Sequence, residues 1–145
     1  KDPLIVARAV TRMAQLGGSV EARTWLAPSW DQLTQHSPEG VEALAFALCE
    51  TVEGLETEWL ARLDKVSQEA LRAPALGLAV GLALAERQLW GKARVLLLSA
   101  AKDNQLQGRR RRQAYVMLAR LAEKEQRLDD AQSFWRQAAL VESGV

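Results

Sequence analysis

Gly81, Ala93 and Ala100 recur with the same internal spacing as Ala119, Ala131 and Ala138. The large positions around them match as well: Val80 with Leu118, Trp90 with Leu128, and Leu97 with Trp135. A helix turns once per 3.6 residues, so the seven-residue step between the last two small residues returns nearly to one face. Small residues there let two helices approach closely, and the large ones fill the space beside them. Such a repeat predicts a stack of helical pairs in which no pair buries its apolar face alone.

Composition agrees with helices. Leu and Ala dominate the 48% apolar content, Ile5 is the only isoleucine, Tyr115 the only tyrosine, and Thr and Val show no alternation. The 145 residues fit one domain, residues 1–145. With 19 basic and 18 acidic side chains, no global charge points to nucleic acid or an acidic substrate. Cys49 is the single cysteine, which excludes an internal disulfide. Residues 1–10 lack the apolar core of a signal peptide. The longest apolar stretch, residues 73–85, is too short to span a bilayer, so a soluble chain is expected. A start at Lys1-Asp2-Pro3, without a methionine, is expected of a segment of something longer.

Punctuation divides the chain. Asp2-Pro3 and Ser37-Pro38-Glu39 each offer an N-cap followed by proline at the first helical position. Gly17-Gly18 ends one helix, and Ser19 is expected to cap the next. Gly54 separates two helices, Pro74 opens another, and Gly108 is expected in the break before Tyr115. Ala119 lies 38 residues after Gly81, and Ala47 lies 34 before it. Val10 precedes Ala47 by another 37. Four helix–turn–helix units follow, residues 3–36, 40–71, 74–104 and 112–142, giving eight helices. The second is irregular, because Trp59 falls where a small alanine is expected.

A period near 34, small residues at the helix-crossing positions and prolines at unit boundaries resemble the tetratricopeptide repeat. The expected fold is an all-α, right-handed α-solenoid of about four such repeats, with a four-helix bundle or a HEAT-like array as alternatives. A narrower resemblance rests on Ala85-Glu86-Arg87-Gln88-Leu89-Trp90-Gly91-Lys92-Ala93-Arg94. Trp59-Leu60-Ala61 precedes it, and residues 115–120 and Arg127-Leu128-Asp129-Asp130-Ala131 follow. Together these are similar to the C-terminal tetratricopeptide region of HemY proteins, bacterial inner-membrane proteins associated with haem and porphyrin biosynthesis. The resemblance implies an N-terminal membrane-anchoring region outside these residues, with this domain on the cytoplasmic side. It implies haem-pathway enzymes as protein partners and carries no catalytic residue set. The short second unit and the run Arg109, Arg110, Arg111 and Arg112 depart from the family pattern.

Enzyme signatures are missing, so no catalysis is expected. His36, the only histidine, lies far in sequence from Cys49, and no metal-ligand spacing occurs. Were haem or porphyrin to bind, His36, Cys49, Met13, Met117 and Tyr115 are the available donors. Gly77 and Gly81 form a Gly-x-x-x-Gly expected to serve close packing within the repeat.

The tetratricopeptide resemblance implies that each unit's first helix lines a concave groove. The positions are Val41, Leu44, Leu48, Thr51 and Val52, then Ala75, Leu78, Leu82, Ala85 and Glu86, then Gln113, Val116, Arg120, Glu123 and Lys124. Such a groove is apolar in the middle and suits an amphipathic helix from a partner, or a porphyrin in the alternative. A neighbouring helix or tighter superhelical closure would instead cover it. Four arginines at Arg109 to Arg112 oppose the dipole of the helix they open. They are expected either as a solvated run or as a contact for anionic lipid or an acidic partner.

Overall fold

A computed structural model describes residues 2–141, and every regular element among them is helical. Helices α1 (Pro3–Gln15) and α2 (Ser19–Trp30) form the first hairpin, and a 3-10 turn at Leu33–Gln35 leads to α3 (Pro38–Cys49). Then come α4 (Trp59–Lys65), α5 (Ser67–Ala70), α6 (Pro74–Glu86), α7 (Trp90–Lys102), α8 (Gly108–Lys124) and α9 (Leu128–Leu140). The first helices of the hairpins pack in chain order, α1 on α3, α3 on α6 and α6 on α8, while α2, α7 and α9 each pack on the first helix of their own hairpin.

Local chemistry sets the boundaries. Proline opens α1, α3 and α6, where its missing N–H costs nothing. The Leu4 amide donates to Asp2 Oδ1 at 2.9 Å, and the Gly40 amide donates to Ser37 Oγ at 3.2 Å. Three hairpin turns close in one way. Gly17, Gln88 and Gln126 each adopt a positive φ, of 89°, 64° and 60°. The next amide in each turn donates back into the preceding helix, Gly18 to Met13, Leu89 to Leu84 and Arg127 to Ala122, at 2.8–2.9 Å. This left-handed C-cap satisfies carbonyls that the helix end leaves free.

The caps give an internal register: Gly17 to Gln88 is a step of 71 residues, and Gln88 to Gln126 a step of 38. Ala22, Leu26 and Ser29 of α2 therefore match Ala93, Leu97 and Ala100 of α7, and Ala131, Trp135 and Ala138 of α9. All the small residues of these triplets are buried. A Cβ on Gly81 would lie 2.7 Å from Leu97 Cγ, and one on Gly77 2.7 Å from the Ala70 carbonyl oxygen. Close packing is thus what Gly77 and Gly81 provide. Counting from the helix-opening prolines, Ala45 and not Ala47 stands where Gly81 does, since each follows its proline by seven residues.

Several expectations are corrected. Nine helices occur among the described residues rather than eight, because the second helix of the second unit is interrupted at Val66 (φ −111°, ψ 12°). Ser19 is the first residue of α2 and gives no side-chain cap. Gly108 opens α8 at φ 56° instead of lying in a break, so the fourth unit starts a turn before Arg112; its expected end, Glu142, lies outside the described residues. Trp59 is buried, edge-on to Trp30 at 6.0 Å, with the Arg62 guanidinium 5.1 Å from its ring centroid.

Candidate functional site

The expected concave groove is closed. Leu44, Leu48 and Leu78 are fully buried, Leu82 is 3% exposed, and Thr51, Ala75 and Ala85 are buried with them. Val41 and Val116 are half-buried, leaving Arg120 and Lys124 exposed beyond them. The cause is visible in α6, which buries eleven of its thirteen residues and is apolar all round. Helices α3, α5, α7 and α8 surround it.

The arginine run completes that closure. The first turn of α8 reaches α3, where Arg109 and Arg110 both donate to Glu50 Oε2, at 2.9 and 2.8 Å. The Arg110 guanidinium also lies 4.6 Å from the Phe46 ring centroid. Burial pushes the Glu50 carboxyl up, and the two arginine hydrogen bonds outweigh it and hold the group below the usual range. Arg111 donates to the Ala101 carbonyl at 3.1 Å, and Arg112 to those of Ala138 and Val141, at 3.3 and 2.6 Å. These carbonyls lie at the C-terminal ends of α7 and α9, where positive charge is favourable. The dipole cost at α8 is therefore offset at two other helix ends. All four guanidiniums have partners within the chain, so the run is more than the solvated one expected, and Arg109 keeps 62% of its side chain exposed.

The haem-donor residues do not converge. Cys49 is buried, and burial pushes its thiol up to about 12, far from a thiolate at neutral pH. Met13, Met117 and Tyr115 pack against the core. His36 lines a cleft of about 510 Å³ at the start of α3 and α6, with Glu42, Glu69 and Arg72, and its Nε2 is buried without a hydrogen-bond partner. None of the other four donors lines that cleft.

A different opening arises where the repeat breaks. The interruption at Val66 leaves α4 without extensive contact to α6 or α7. A cleft of about 550 Å³ remains between them. Leu60 and Leu63 form one wall, Val80 and Leu84 of α6 the floor, and Leu89, Val95 and Leu96 the other wall. Leu71, Leu89 and Val95 are 46, 38 and 58% exposed. Asp64 stands on one rim and Lys92 on the opposite one. A recess of this size lined mainly by aliphatic groups is suited to apolar surface, with a charge of each sign among its lining residues. Nothing in the spacing of residues 59–71 announced it, because Leu60, Leu63, Val66 and Ala70 keep helical periodicity through the break.

Two further arginines, Arg23 and Arg94, hold hairpins together in a way that the sequence did not lead one to expect. Arg23 is fully buried and grips Glu56 with two hydrogen bonds, at 2.9 and 2.8 Å, while donating to the carbonyls of Thr51, Glu53 and Gly54. Arg94, 71 residues later, donates to Glu125 at 2.6 Å. Each binds the turn of the following hairpin, and the 71-residue step between Ala22 and Ala93 was the signal that could have found them.

No helix among the described residues is long and apolar enough to cross a membrane. Compared with protein-family models, with curated proteins and with solved structures, the chain matches none.

Proposed function

We infer that the chain is a non-catalytic protein-interaction scaffold, built as four tetratricopeptide-like hairpins, whose working surface is the cleft between α4–α5 and α7. The observation that carries this reading is the cleft itself: about 550 Å³, aliphatic, with three large side chains on its rim open to solvent. Exposed apolar surface concentrated in one recess marks a docking site rather than scattered surface residues. Its occupant is the apolar face of an amphipathic helix from a protein partner, with a base toward Asp64 and an acid toward Lys92.

The repeated caps and the matched triplets of α2, α7 and α9 support the tetratricopeptide-like reading. The HemY-like context is part of the same proposal, in which the scaffold serves haem and porphyrin biosynthesis beside a bacterial inner membrane, on its cytoplasmic side. In its favour, the Gln88-to-Arg94 run that carries that resemblance supplies Leu89 and Lys92 to the cleft wall.

A photo-crosslinker placed at Val95 should capture a discrete haem-pathway enzyme in a bacterial membrane extract, and Leu71→Asp should abolish the product. A crosslink insensitive to Leu71→Asp, or none at all, would refute the cleft as the working surface. Haem titration of the same proteins separates the porphyrin alternative, for which a Soret shift would be required.

A further inference from the structure

We draw no further inference here: the strongest candidate, the cleft of about 510 Å³ where His36, Glu42, Glu69 and Arg72 meet at the starts of α3 and α6, carries nothing, because its one unpartnered buried side-chain atom, His36 Nε2, is closed to solvent and so out of reach of a ligand, and the rest of its polar lining is a helix N-terminus and exposed charges of both signs.

Discussion

Arg23 lies wholly inside the molecule, yet every direction its guanidinium faces is answered. Glu56 takes two of its hydrogen bonds, and the carbonyls of the loop after α3 take the rest. A buried charge persists only when paired and bonded in this way. Arg23→Met should cost about 2–3 kcal/mol in urea unfolding, since three loop carbonyls and a carboxylate lose their donor at once. Arg94→Met should cost less than about 1 kcal/mol, because its pair with Glu125 is roughly a third exposed and rehydrates. Equal losses would contradict the part assigned to burial. Gln88 and Gln126 make the opposite case. Both hold a left-handed conformation that a side chain disfavours, whereas Gly17 fills the equivalent place in the first hairpin. Gln126→Gly should therefore stabilise the chain by up to about 1 kcal/mol, read as a raised unfolding midpoint.

Helix α8 shows how far an element can be read from its own residues. Prolines and caps made the starts of α1, α3 and α6 legible, because those signals act within four residues. The start of α8 was not legible, since what stabilises its first turn is Glu50, some sixty positions earlier, together with the carbonyl ends of α7 and α9. For the same reason the Leu78 and Leu82 stripe was placed on one helix face without showing that the face is covered. The apolar run on every side of α6 was the clue to its burial. Arg109 and Arg110 give this a test, because they share one carboxylate at very different exposure, 62% against 18%. Arg110→Ala should cost about 1–2 kcal/mol through the lost charge-assisted bond and its contact with Phe46. Arg109→Ala should cost no more than about 0.5 kcal/mol. The Glu50 carboxyl is lowered in the folded state, so its contribution is fully present above its unfolded pKa and is lost as pH falls through the lowered value. Urea midpoints of wild type and Glu50→Gln should accordingly differ at neutral pH and draw together in acid. A gap that widened on acidification would mean that Glu50 is not held charged by these arginines.

Across the whole molecule, regular and irregular units differ in how they are held. Three hairpins share one cap and one small-large-small triplet, and two of them grip the following turn through a matched arginine, Arg23 or Arg94, so these units are stabilised in part by their neighbours. The second unit has the long turn around Gly54 and the helix broken at Val66, and it leaves α4 short of partners on the side where the cleft opens. Local opening free energy follows the density of such contacts. Amide hydrogen exchange should therefore be fastest, among the helical segments away from the chain ends, in α4 and α5, and slowest in α6, which is enclosed on every side. If α4 and α5 form one wall of a docking site, a helix seated in the cleft supplies the contacts that the repeat omits there. Binding should then slow exchange across residues 59–70 by the full stabilisation it confers, because opening α4 and α5 disassembles the site, and amides of α6 that exchange through global unfolding should slow by no more than that amount. Protection in α4 and α5 equal to that of α6 before any partner is added would remove the distinction between a rigid stack and its one adjustable unit.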